Sequence, residues 1–269
     1  MGMPRDFVMV RHGQSEANIV QSMFKADPDA IVPDGFLDRH DTHMRLSSLG
    51  REQAIAAGQW ILEQFPDGFD QYYVSPLMRT QETAGSLAIK GTWKLDDRWR
   101  ERDWGEYSAL NDTEQKQRFE LSHRLRQQHR WYWCPPGGES LATGVRLRFE
   151  DILDTAHRES DEKKMIAVTH GETMSVARYV LERMDPDEWL IDDRDRSRNI
   201  ENCQIFHYSR ENPETGELSQ NLRWMRSICP WDETKSWHSG EWVNLPQRRT
   251  YSDADLLDNV AKHANLFEE

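Results

Sequence analysis

Two His-Gly pairs stand out in the sequence, His12-Gly13 and His170-Gly171, and each directly follows an apolar run, Phe7 to Val10 and Met165 to Val168. Arg11 precedes the first histidine. Arg79 follows a third apolar stretch, Asp70 to Val74. A strand that ends in a glycine turn and a helix delivers polar side chains to the carboxyl end of a sheet, where open α/β folds bind ligands. Two arginines and two histidines meeting there would form an anion pocket, because guanidinium forks match pairs of phosphate oxygens. Helices beginning after Gly13 and Gly171 would add backbone N–H donors. An imidazole in such a pocket can attack phosphorus and split one displacement into two easier ones. A carboxylic acid must then protonate the leaving oxygen and later activate water. Glu101, Asp103 and Glu106 are all in reach by sequence for that task, and Glu101 could instead pair with Arg98, Arg100 or Arg102 in a solvated cluster. A lone histidine is more often a hydrogen-bonded core residue. Two of them, each placed just past an apolar strand, point to chemistry.

These residues need elements to hold them. Phe7 to Val10 reads as a buried strand. Residues 25–46, with Pro28, Pro33 and Gly35, read as an irregular excursion. Ser48 to Phe65 has helical spacing of Ala54, Ala57, Ile61, Leu62 and Phe65, with Ser47 or Ser48 as cap and Pro66 as stop. Asp70 to Val74 is a strand, and a helix runs on from Arg79 towards Ala88. Trp93 to Leu95 is a weaker strand. Residues 102–139, rich in Trp, Arg and Gln, form a partly helical excursion over the sheet. Ser140 to His157 is a helix, Met165 to Thr169 a strand, and a further helix reaches about Met184. Cys203 to Tyr208 and Leu222 to Ser227 are late strands, read as a hairpin. No internal repeat is visible. The alternation predicts an α/β fold: a mainly parallel central sheet with helices on both faces and a lid excursion over its carboxyl end.

The chain has 269 residues, enough for one large core, with 37% hydrophobic and 30% charged residues and a net charge of −13. The acidic balance argues against nucleic acid and anionic membrane as partners, while leaving room for a local arginine pocket. No apolar run approaches the ~20 residues that span a bilayer. The first ten residues are too short and too charged for a signal peptide. Cys134, Cys203 and Cys229 are odd in number and lack a CxxC pair, which fits a cytoplasmic location and buried or incidental thiols. No cluster has metal-ligand spacing, so neither metal nor cofactor is expected.

The motifs together resemble the histidine phosphatase superfamily, also called the phosphoglycerate mutase-like family. Val10-Arg11-His12-Gly13-Gln14-Ser15-Glu16-Ala17-Asn18 is similar to its Arg-His-Gly signature. Leu46 to Ala54 is similar to its Leu-Thr-x-x-Gly-x-x-Gln-Ala helix start, and Ser75 to Ala84 to its Ser-x-x-x-Arg-x-x-x-Thr-Ala segment. Arg100 to Gly105 matches the Glu-x-x-x-Gly acid loop. Gly138-Glu139-Ser140 and Val168-Thr169-His170-Gly171 complete the set, in family order from residue 7 to about 180. The resemblance implies that His12 is the nucleophile and becomes phosphohistidine. It implies that Arg11, Arg79 and His170 hold the phosphoryl oxygens, that Ser15, Asn18 and Gly171 assist, and that Glu101 donates the proton. It also implies a fold without a metal in its chemistry.

The leading expectation is a cytoplasmic phosphomonoesterase acting on a small phosphorylated metabolite. One domain is expected over 1–269, with a core at about 5–229, a lid at about 99–140 and a tail at about 230–269. Trp104, Tyr107, Trp131, Tyr132 and Trp133 either line the substrate, suiting a flat leaving group, or pack the lid onto the sheet. A phosphomutase is the alternative and a phospho-ligand binding module a further one. Phosphoglycerate mutases usually have Trp where this chain has Ala17, and their basic insert after the acid loop is not recognisable here. The tail, with Trp231, Trp237 and Trp242, either packs on the core or meets a partner, a homodimer contact included.

Overall fold

The computed structural model describes residues 2–108 and 110–267. The ends of the expected domain at 1, 268 and 269, and position 109 of the expected lid, lie outside the described residues. Four consecutive apolar residues, Phe7 to Val10, are fully buried, which requires a strand covered on both faces. That strand, β1 (Asp6–Arg11), lies in a seven-stranded sheet with β2 (Gln71–Val74), β3 (Trp93–Leu95), β4 (Lys164–Thr169), β5 (Ile205–Ser209), β6 (Trp224–Ile228) and β7 (Val243–Asn244), in the order β3-β2-β4-β1-β5-β6-β7. The β3, β2, β4 and β1 strands run parallel. The late strands β5, β6 and β7 extend the sheet antiparallel, β5 and β6 as the expected hairpin.

The helices are α1 (Glu16–Ala26), α2 (Ser48–Gln64), α3 (Met78–Ser86), α4 (Asp112–Arg118), α5 (Glu120–Gln128), α6 (Arg146–Glu159), α7 (Gly171–Leu181), α8 (Pro186–Arg194) and α9 (Asp253–Ala261). Strand side chains alternate between two cores. Phe7, Met9, Met165 and Ala167 meet α6 and α7 through Phe149, Ile152, Met174 and Ala177. Val8, Val10, Ile166 and Val168 meet α2 and α3 through Ala54, Ala57, Ile61 and Ala84. Helices therefore cover both faces, as the alternation predicts.

Two details differ from the sequence reading. The helix expected from Ser140 opens as a π-turn at Leu141–Val145, capped by Ser140, and becomes α-helical at Arg146. The elements α8, β7 and α9 were not anticipated. The α8 helix starts with a capping box, Asp185 with Glu188, and has Pro186 in its first turn, a legible start signal that the polar run around it obscures. Cys203 and Cys229 are buried and Cys134 is exposed, and all three are free thiols. No helix among the described residues is long and apolar enough to cross a membrane.

Candidate active site

β1 and β4 are neighbours in register, with Arg11 opposite Thr169. The residues just past them, His12 and His170, therefore emerge side by side. Their ring centroids are 5.1 Å apart. His12 N donates to Thr169 O at 2.9 Å, which ties the two strand ends together beyond the ladder. A Cβ on Gly13 would lie 2.2 Å from Gly50 O, and one on Gly50 would lie 2.1 Å from Gln14 O. The turn after β1 and the start of α2 thus pack backbone on backbone, which only glycine permits at both positions.

His12 is buried and its Nδ1 sits 2.7 Å from Gly13 O. A carbonyl can only accept, so Nδ1 carries the proton and Nε2 keeps the lone pair. Burial pushes the imidazole well below its ordinary range, and the Arg79 and Arg11 charges push it further. His12 is therefore a neutral imidazole at neutral pH. His170 caps α7, is fully buried, and contacts Ser75 Oγ through Nε2 at 2.8 Å. Burial and the charge of Arg79 likewise push it well down. Arg11 donates to Ile200 O through Nη1. Arg11 Nε and His170 Nδ1 are buried and lack a hydrogen-bond partner among the described residues. Such groups cost ~1–3 kcal/mol each when unmet, and a phosphoryl oxygen suits Arg11 Nε–H, and suits His170 Nδ1–H in the tautomer in which Ser75 Oγ donates to Nε2. Gly171 opens α7, and a Cβ there would stand 3.3 Å from Arg11 Nε, so the glycine leaves room for that guanidinium.

Arg79, in the first turn of α3, is 4% exposed. Its fork grips Asp41, with Nη1 to Oδ1 at 3.1 Å and Nη2 to Oδ2 at 3.0 Å. Glu101 is fixed from both sides. Thr169 Oγ1 donates to Trp99 O at 2.7 Å and Thr173 Oγ1 to Arg100 O at 2.8 Å. Its own oxygens accept from Arg102 N at 3.0 Å and, weakly, from Glu172 N at 3.4 Å. Burial raises its pKa, and the Glu172 charge adds to the rise, against Arg102 N, Arg79 and Arg11. Glu101 thus holds a proton more readily than an ordinary glutamate. The solvated-cluster reading of Glu101 fails. Arg98 pairs with Asp96 and Asp151, Arg100 with Glu139, and Arg102 with Glu172.

Arg11, His12, Arg79, Glu101 and His170 act on one another electrostatically, which brings the expected set together. Ser15 and Asn18, expected at the phosphate, also form the capping box of α1: Ser15 N donates to Asn18 Oδ1 at 3.1 Å, and Asn18 N to Ser15 Oγ at 3.3 Å, bonds that do not use Asn18 Nδ2. The donors expected from the turn after His12 are also engaged, Gly13 N with Thr83 Oγ1 and Gln14 N with Gln53 Oε1. The first turn of α1 therefore braces the pocket. The aromatic set mostly packs: Trp131 lies against Tyr179 and Trp189, Tyr107 against Phe119 and Trp133, and Tyr132 is 63% exposed. Guanidinium groups of Arg102 and Arg126 lie over the Trp104 and Trp133 rings. Asp41, Ser75, Glu172 and Asn202, whose Nδ2 donates to His12 O at 3.0 Å, were not picked out by spacing. Ser75 opens one of the quoted motifs and Glu172 directly follows another, while Asp41 carries no local signal. Among the described residues, no group of three or more His, Cys, Asp or Glu is arranged to hold a metal ion.

The family model for the histidine phosphatase superfamily (branch 1) matches residues 7–215. A 2,3-bisphosphoglycerate-dependent phosphoglycerate mutase of Bartonella bacilliformis is 32% identical over 202 residues, covering 70% of this chain and 87% of its own. The enzyme of the same name from Azorhizobium caulinodans is 31% identical over 196 residues, covering 69% and 85%. Among solved structures, a phosphoserine phosphatase mutant of Entamoeba histolytica in complex with phosphoserine superposes with a TM-score of 0.58 at 19% identity, covering 81% of this chain and 96% of that one. A mycobacterial glucosyl-3-phosphoglycerate phosphatase in complex with VO3 gives 0.56 at 22% identity, covering 76% and 92%. At these identities the superpositions speak for the fold.

Proposed function

The chain belongs to the histidine phosphatase superfamily, branch 1, and on that premise we propose that it is a metal-independent phosphomonoesterase that works through a phosphohistidine at His12 on a small phosphorylated metabolite. In the first step His12 Nε2 attacks phosphorus. The N–P bond forms, the bond to the leaving oxygen breaks, and that oxygen takes the proton of Glu101. Arg11, Arg79 and His170 hold the other phosphoryl oxygens as charge moves across them. In the second step Glu101, now a carboxylate, takes a proton from water as the water oxygen attacks phosphorus. The N–P bond breaks, its electron pair returns to Nε2, and inorganic phosphate leaves.

One observation carries the preference for hydrolysis over transfer between two hydroxyls. A mutase that works through a bisphosphate must bind two phosphoryl groups at once, and so must supply more cationic charge than a phosphatase. Here two of the three arginines beside the acid loop are already matched, Arg102 and Arg130 with Glu172 and Arg130 also with Asp193, and Arg126, which donates to Gln115 Oε1, is the one left without a carboxylate partner among the described residues. The mutase reading keeps one support of its own, the names of the ~30%-identical relatives.

The test is inorganic phosphate release from a broad panel of phosphomonoesters with chelator present, for the native chain and His12→Ala. Release by the native chain, falling at least ~10⁴-fold in the variant, is expected. Transfer of labelled phosphate to a second hydroxyl compound, with little release, would replace the hydrolase by a mutase. Undiminished release by His12→Ala would overturn the phosphohistidine route.

A further inference from the structure

The excursion between α1 and α2 carries one carboxylate into the pocket, and it is firmly seated. Met44 and Leu46 are buried. Leu46 bridges Ser15. Arg45 N donates to Glu16, and Leu46 N, Arg45 and Arg51 converge on Glu82 of α3. Just ahead of these fastenings, the single 3-10 turn Asp41–His43 puts Asp41 against Arg79. The arginine side chain is 5% exposed and the aspartate side chain 45%. Besides the two carboxylate bonds, Arg79 Nη1 donates to Asp41 O at 2.9 Å.

Two carboxylate oxygens on a guanidinium fork occupy the geometry that two phosphoryl oxygens use. Arg79 is thus satisfied by an internal anion, whereas Arg11 Nε and His170 Nδ1, its neighbours in the cradle, have no partner among the described residues. The half-exposed carboxylate can turn to solvent by side-chain rotation. The main-chain carbonyl of Asp41 would still hold Nη1, so Arg79 keeps its aim when the carboxylate leaves.

We infer that Asp41 is an internal competitor for Arg79: the incoming phosphoryl group displaces its carboxylate, and the carboxylate's return helps to expel inorganic phosphate at the end of each turnover. The inference rests on the proposed use of the cradle for a phosphoryl group. It assigns to the excursion a role in setting how tightly the site holds phosphate.

The probe is inorganic phosphate itself, titrated calorimetrically into the full chain and measured again as a competitive inhibitor of hydrolysis. Asp41→Asn should tighten phosphate binding about tenfold, the worth of one charge-assisted hydrogen-bonded pair. KM should fall with it, and kcat should not rise. Glu201→Gln is the control, because Glu201 acts on Arg11 only through space and should change binding less than about threefold. In an Arg79→Ala background, Asp41→Asn should change nothing. Equal tightening by Asp41→Asn and Glu201→Gln would reduce the effect to general charge and overturn the displacement. Unchanged or weaker binding by Asp41→Asn would make Asp41 a support for Arg79 and also overturn it, with the phosphatase reading intact. Phosphate bound by neither native chain nor variant would overturn both.

Discussion

The floor of the pocket and its canopy are held by different kinds of contact. The floor is Arg11, His12 and His170, which end two adjacent parallel strands and inherit their positions from backbone hydrogen bonds. The canopy is the acid loop around Glu101 with residues 131–139, and charged side chains hold it. Glu139 joins Arg100, Arg148 and the Asp103 N–H. Arg102 donates to Glu139 O at 2.7 Å and Trp133 O at 2.9 Å, and Arg130 pairs with Asp193 and Glu172. On the proposed mechanism, a floor made of backbone fixes where phosphorus sits whatever the charge state, and a canopy made of ion pairs sets when Glu101 carries its proton. The two regions should therefore fail differently when altered.

A floor substitution should damage every substrate in the same ratio. On the proposed mechanism, His170→Ala removes a phosphoryl contact that the leaving group never sees, so kcat should fall about 10²–10³-fold with the ranking of substrates unchanged. A reordered ranking in the hydrolysis panel would break the distinction between floor and canopy. Gly13→Ala tests the backbone argument itself. Its new Cβ would meet Gly50 O at 2.2 Å, and neither main chain can yield without moving the turn behind His12. A loss of roughly 1–3 kcal/mol is expected, read as a lower unfolding midpoint in denaturant. An unchanged midpoint would mean that the floor tolerates displacement and is less rigid than its hydrogen bonds imply.

The same contrast explains what could be read from the sequence. His12 and His170 were legible because a buried parallel strand writes a continuous apolar run, and the residue after it is placed by the strand end. Ser47 as the cap of α2 and the Trp93–Leu95 strand follow from equally local signals. Asp41 was not legible: it reaches Arg79 across 38 positions from a segment without periodicity. Ser15 and Asn18 carry a second local signal: besides belonging to the motif, their Ser-x-x-Asn spacing starts a helix, and the structure shows the capping box it predicts. The aromatic residues of 104–133 could be counted in advance, but not the arginines lying over the faces of Trp104 and Trp133, because stacking between distant positions leaves no pattern in the chain.

The sharpest test of the canopy is the smallest in size. Glu172 N lies against Glu101, and the Glu172 charge is the second cause, after burial, of the raised pKa of that acid. Glu172→Gln keeps the shape and removes the charge. With the repulsion gone, the carboxylate form of Glu101 becomes easier to make, so its pKa falls and its proton is lost at lower pH. The alkaline limb of the kcat/KM profile should move to lower pH. The acid limb, set by the neutral His12 imidazole in the floor, should stay where it is. Well below the alkaline limb the rate should change less than about fivefold, since the phosphoryl contacts are untouched. If both limbs move together, the ionisations of floor and canopy are one coupled system, and the two regions are not electrostatically separable. If only the alkaline limb moves, the ion pairs of the canopy are what tune the acid, and His12 is tuned independently of them, by burial and the charges of Arg79 and Arg11.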